Sequence, residues 1–162
     1  MVATSKLNVY WKLVIAILIC EFVGITSALI SNTGNNAWID TINKPSWNPP
    51  AYLFAPVWTV LYLLMGISLW IIWKAEVPYF KKANAIGLFF LQLFFNFCWS
   101  ILFFKYHLIG LALLDIIIMI ITIFATIFAF STINKKASWI LTPYILWVSF
   151  AMLLNFTFWL MN

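Results

Sequence analysis

The residues of this chain that could do chemistry are rings and amides set about one helical turn apart. Phe54, Trp58, Tyr62, Gly66 and Trp70 recur every four residues, and Gln92, Asn96 and Trp99 follow at i, i+4 and i+7 with Ser100 beside them. Tyr144, Trp147, Ala151 and Asn155 repeat at spacings of three, four and four. Each set falls on one face of a helix. Indoles and phenols offer flat apolar walls with one polar edge, and amides in apolar surroundings need partners, so these stripes should face other protein. An aromatic stripe can equally be packing or lipid contact. A site is favoured here by the adjoining stretch W-I-D-T-I-N-K-P-S-W-N-P-P, Trp38 to Pro50, in which Pro45, Pro49 and Pro50 forbid helix and stiffen a loop carrying Trp38 and Trp47.

Two acids lie inside apolar runs. A carboxyl facing lipid is costly, so Glu21 is expected to point inward, neutral or hydrogen-bonded, with a structural bond weighed ahead of a proton relay. Asp115, about two turns into its run, reads as a functional-site candidate or as a satisfied structural acid. Cys20 and Cys98 lack the paired spacing of a metal or redox motif and read as packing residues. His107 stands in a short turn with no second ligand near it and reads as solvated. Without a metal-ligand set, a nucleophile with its base or a phosphate loop, neither metal nor cofactor is expected.

The elements that must hold these residues are membrane spans. At 65% hydrophobic and 8% charged, with a mean hydropathy of +1.04, the composition is far from that of a soluble domain. The fold class is an all-α membrane protein, one transmembrane domain over 1–162 forming a five-transmembrane-helix bundle. Apolar runs place the spans near 7–30, 51–73, 83–104, 108–131 and 138–161, with a loop over 31–50 roofing the bundle. The first span is too long for a signal-peptide core and lacks a small-residue cleavage site, so it reads as a retained helix. Its small stripe, Ala16, Cys20, Gly24 and Ala28, can pack inside the bundle or against a second copy. Short connections make consecutive helices antiparallel neighbours, and Pro143 should kink the last one. The net charge of +5 comes from nine lysines against four acids, and the absence of arginine speaks against a nucleic-acid surface or a phosphate clamp. Lys6, Lys12, Lys74, Lys81, Lys82, Lys135 and Lys136 share one side and Lys44 and Lys105 the other, which puts the N-terminus in the cytoplasm and the C-terminus outside.

Six fragments in order carry a resemblance over nearly the whole chain: S-A-L-I-S at 27 to 31; the Trp38 to Pro50 loop; F-x-P-V-W-T-x-L-Y-x-x-M-G from Phe54; Q-L-x-x-N-x-x-W-S-x-x-F-F from Gln92; L-A-L-L-D ending at Asp115; and P-Y-x-x-W-x-x-x-A-x-x-L-N from Pro143 to Asn155. The chain resembles the TspO/MBR family of tryptophan-rich sensory and translocator proteins. That resemblance implies five helices, a homodimer in the lipid bilayer of a bacterial cell, and a ligand cavity roofed by the first long loop. The implied ligands are porphyrins such as protoporphyrin IX and haem, together with hydrophobic aromatic molecules. By motif, Trp38 matches a loop tryptophan linked to porphyrin handling. Trp58 and Trp147 match two cavity tryptophans implicated in ligand contact and in light-dependent porphyrin breakdown. Asn96, Trp99, Asp115, Tyr144 and Ala151 match positions lining or bordering the cavity.

The expected ligand-binding set is therefore Trp38, Trp47, Phe54, Trp58, Tyr62, Asn96, Trp99, Asp115, Tyr144, Trp147 and Ala151. A flat macrocycle suits such walls, with a few amide or hydroxyl groups to orient its polar edge. The leading expectation is a receptor or sensor that binds tetrapyrroles and transports or sequesters them. Behind it stand a light-dependent porphyrin-degrading enzyme using Trp58 and Trp147, and a non-catalytic accessory membrane subunit. The animal members' tyrosine-plus-basic cholesterol segment has no match here, since the chain reads L-L-N-F-T-F-W-L-M-N with Phe156 at the tyrosine position, and cholesterol is not expected as a ligand.

Overall fold

The computed structural model describes residues 6–162, with side chains from Tyr10 onward apart from that of Asn35. The Lys6 side chain, counted in the charge asymmetry, lies outside the described residues. Helix α1 (Lys6–Ser31) is followed by the loop, in which short 3-10 turns at Thr33–Asn35, Ala37–Asp40 and Ala51–Leu53 lead into α2 (Phe54–Trp73). Then come α3 (Tyr79–Ser100), a π-helical turn (Ile101–Lys105), α4 (Ile109–Ser131), α5 (Lys135–Ile140) and α6 (Thr142–Met161). Among the described residues five spans are long and apolar enough to cross a membrane, the fifth being α5 and α6 together. The chain is an integral membrane protein.

The ends of these helices show what punctuates so apolar a sequence. The segment K-A-E-V-P-Y-F-K-K is not all turn, because α3 begins inside it directly after Pro78, whose fixed φ suits a helix start. Lys81 and Lys82 then reach carbonyls left open at the ends of neighbouring helices, Nζ donating to Thr132 O at 2.8 Å and to Trp73 O at 3.3 Å. The last span starts at Lys135 rather than Ser138, since the Asn134 side chain caps α5 by accepting from the backbone of Lys136 and Ala137. Pro143 produces a break at Leu141 between α5 and α6. There the Leu141 N–H turns to Ser138 O, and the Ala137 carbonyl accepts instead from Ser68 Oγ on α2 at 2.8 Å.

The small stripe of α1 is spent inside the bundle. Ala16 and Cys20 are fully buried, and Gly24 lies against Tyr62 of α2 so closely that a Cβ there would sit 2.2 Å from a ring carbon. In return, a Cβ on Gly66 would sit 2.6 Å from Ile17 Cα, so this pair of helices meets backbone to backbone. Glu21 corrects the expectation that it points inward: it lies at the edge of this seam, half-buried and without a hydrogen-bond partner among the described residues. The stripe centred on Cys20 occupies the packed face, which leaves the carboxyl at its flank. Nor are all consecutive helices close neighbours. The strong pairings are α1 with α2, α3 with α4, and α4 with α5 and α6, while α5 also packs on α2 and α1 on α3. The helices α2 and α3 share only a narrow seam, while α2 packs mainly on α1 and α5.

Gly66→Val should therefore destabilise the bundle by about 1–3 kcal/mol, since the clash is with backbone that cannot rotate away. SDS titration of the purified protein followed by circular dichroism measures this, and an unchanged midpoint would contradict the close approach of α1 and α2.

Candidate functional site

At the centre of the bundle the polar stripes meet. The Tyr62 hydroxyl donates to Asn96 Oδ1, Asn96 Nδ2 donates to the Tyr144 hydroxyl at 3.3 Å, and that hydroxyl donates to Gln92 Oε1 at 2.7 Å. All four side chains are buried. The chain of bonds ties α2, α3 and α6 together, with Met119 of α4 adding its sulfur as a weak acceptor 3.8 Å from Asn96 Nδ2. Polar side chains buried in hydrocarbon need partners of this kind.

Aromatic rings surround the network. Trp58 stacks on Tyr62 at 5.6 Å and meets Tyr144 edge-on at 6.5 Å. Trp147 lies edge to face with Phe54 at 5.9 Å and tilts on Phe150 at 5.6 Å, and Trp47 of the loop meets Phe150 edge-on at 5.8 Å. Loop and bundle are thus joined through rings, in the order Trp47, Phe150, Trp147, Phe54. Ala151, one turn beyond Trp147, is buried and leaves room where a larger side chain would crowd the same face. Two buried donors in this region, Gln92 Nε2 and Trp147 Nε1, have no partner. Unpaired donors in an apolar interior are costly, and a ligand bearing acceptors would relieve them.

The expected residues do not form a single cluster. Trp99 donates from Nε1 to Asn155 Oδ1 at 2.9 Å and stacks on Phe103 at 5.5 Å. Asn155 in turn donates to Ile109 O at 3.0 Å. Trp38 lies edge-on to Phe103 at 5.6 Å and flat on His107 at 4.2 Å, with an interplanar angle of 15°. This second group sits under the loop, and Trp99 packs against both it and the central core. Asp115 is buried on α4 with Oδ2 unpaired and makes no hydrogen bond to the network. Among the described residues no group of His, Cys, Asp and Glu is arranged to hold a metal.

Several contributors lie outside the expected set. His107, read as simply solvated, is exposed but forms the platform for Trp38, held there by a left-handed φ of 58°. Asn36 anchors the loop by donating to Phe104 O at 2.6 Å. That carbonyl is open because the π turn sends the Leu108 N–H to Leu102 O. Asn43 and Asn162 exchange bonds, Asn43 N–H to Asn162 Oδ1 at 2.9 Å and Asn162 Nδ2 to Asn43 O at 3.1 Å. Of these only Asn36 carried a sequence signal, as part of a turn-rich S-N-T-G-N-N segment.

Comparison with known proteins agrees with this architecture. The sequence profile of the TspO/MBR family matches residues 16–160. The chain is 38% identical to the tryptophan-rich protein TspO of Chlorobaculum tepidum over 149 residues, 90% of this chain and 92% of that protein. It is also 38% identical to the protein of the same name from Archaeoglobus fulgidus, over 93% of this chain and 97% of the relative. Similarity extends to the translocator protein of Bos taurus, at 36% identity over 75% of this chain and 73% of the relative.

Tyr62→Phe should leave Asn96 Oδ1 buried without its phenol donor and lower stability by about 1 kcal/mol, the scale of interhelical hydrogen bonds in membranes. Reversible SDS unfolding of the two proteins checks it. Equal midpoints would mean that the Tyr62–Asn96 bond contributes nothing measurable.

Proposed function

The chain belongs to the TspO/MBR family, and on that premise we propose that it is a membrane receptor that takes a flat tetrapyrrole, protoporphyrin IX or haem, or a comparable aromatic molecule, among α2, α3 and α6. One observation carries the reading: a buried hydrogen-bond chain flanked by Trp58 and Trp147 that ends on a donor without an acceptor, Gln92 Nε2, with a second such donor, Trp147 Nε1, on the same helix as Tyr144. A tetrapyrrole supplies both a broad apolar face for the rings and polar edge atoms for the donors. The rings lie against one another at 5.6–6.5 Å, so binding requires the Trp58–Tyr144 and Phe54–Trp147 contacts to part. The roofing loop is anchored by Asn36, Trp38, Asn43 and Trp47 and separates this interior from the water on its side. The lysines at the other end of the bundle support a cytoplasmic N-terminus.

The test is a tryptophan-fluorescence titration with protoporphyrin IX in the dark, on wild type, Trp58→Phe, Trp147→Phe and the exposed control Trp139→Phe, whose parent residue is 73% exposed. Loss of one indole contact should weaken a saturable interaction about threefold to tenfold in the first two variants and leave the control unchanged. Quenching that never saturates, or that is the same in all four proteins, would show partition into detergent and remove the proposal. Illumination of the saturated complex then separates binding from light-dependent breakdown, which Trp58→Phe should abolish if that indole takes part in the chemistry.

A further inference from the structure

A cavity opens on the loop side of the bundle, apart from the Trp58–Trp147 region. It measures about 380 Å³ and lies between the end of α1, the first loop turn and the α3–α4 turn. Ile30, Ala37, Trp38 and Phe104 give it apolar walls. Its polar lining includes Ser31, Lys105 and His107.

The hydrogen-bonding state of this lining has a direction. Ser31 is 2% exposed, yet its Oγ has no partner. Lys105 is exposed and has no carboxylate partner among the described residues; its nearest ring contact is with Tyr106, at 6.0 Å. Two carbonyls around the cavity are already taken, Phe104 O by Asn36 Nδ2 at 2.6 Å and Leu29 O by the Asn32 N–H at 3.3 Å. No aspartate or glutamate lines the space. The lining therefore holds an exposed ammonium and imidazole and the side chains of Asn32 and Asn36, with the unpartnered Ser31 hydroxyl buried behind them, against apolar walls at the end of a membrane helix.

We infer that this cavity is a binding site for a phosphate-type oxyanion, with Lys105 and Ser31 as its principal donors. The acceptor oxygens of such a group fit a lysine and a buried hydroxyl, as charge-assisted bonds to an ammonium are stronger than neutral ones. The same chemistry arrives either as the headgroup of an anionic phospholipid or as free phosphate. The apolar walls favour the lipid, whose glycerol and first methylenes would lie against Ile30 and Phe104. The inference does not depend on the central network, none of whose residues lines this space; of the expected ligand-binding residues only Trp38 does.

Native mass spectrometry of the delipidated full-length protein in an uncharged detergent tests it, with dioctanoyl phosphatidylglycerol as the lipid probe and inorganic phosphate as competitor. Wild type should take up one saturable lipid. Lys105→Gln should weaken it about tenfold, the loss of one charge-assisted hydrogen bond, while Lys135→Gln at the opposite end leaves it unchanged. Ser31→Ala should weaken binding to a smaller extent. Lys105 is exposed, so its variant keeps the fold and carries the test even if Ser31→Ala is unstable; circular dichroism confirms the helix content of each. Displacement by phosphate would support the site with the free anion as a sufficient ligand, and retention of lipid against phosphate would support it with the headgroup as the source. Lipid adducts that do not saturate, or that are equally strong in wild type and Lys105→Gln, would overturn the assignment.

Discussion

The hydrogen-bond chain from Tyr62 through Asn96 and Tyr144 to Gln92 is the constraint on which the rest of this bundle depends. In a membrane the hydrophobic effect does not drive one helix against another, so packing and buried polar contacts decide which faces meet. The bonds among two amides and two phenols placed on three helices form together only when each helix turns that face inward. That rotation turns Trp58 toward Tyr144, and it brings the Tyr62 ring against α1, where only a glycine at position 24 leaves room for it. Close approach of α1 and α2 is thus as much a consequence of the polar network as of the small residues that permit it.

The loop obeys a related rule on a smaller scale. Backbone groups near the membrane surface need partners, and the π turn at the end of α3 displaces the usual bond so that the Phe104 carbonyl is available to Asn36. Phe103 of the same turn is buried edge-on to Trp38, while the left-handed residue His107 sets its imidazole flat against that indole. Asn43 and Trp47 make further attachments along α6. The exposed Asp40–Lys44 pair, at 2.6 Å, adds little by comparison, because solvent screens it. A loop stiffened by prolines and attached at several points is held in place over the bundle.

Much of this was legible in the chain itself. Apolar runs of helix-spanning length, interrupted by lysines and turn residues, define the five spans, because an unsatisfied backbone cannot lie in hydrocarbon and helices are the economical answer. The four-residue spacing of Phe54, Trp58 and Tyr62, and of Gln92 and Asn96, marks the faces that turn inward. Helix ends were less legible: Pro78 starts α3 earlier than the apolar run suggests, and Asn134 does the same for α5, because capping is a local bond that hydropathy does not register.

What the sequence by itself determined is therefore the helices, their inward faces and the stiffness of the loop, all of which follow from periodicity and backbone chemistry within a few residues. Tertiary structure alone decided which inward faces touch. It divided the expected residues between a central network and a group under the loop, set Asp115 apart, left Glu21 at the edge of a seam and placed Trp38 on His107. Those outcomes depend on contacts between residues distant in sequence, such as Asn36 with Phe104 and Trp99 with Asn155, whose partners are fixed by how whole helices rotate and pack together.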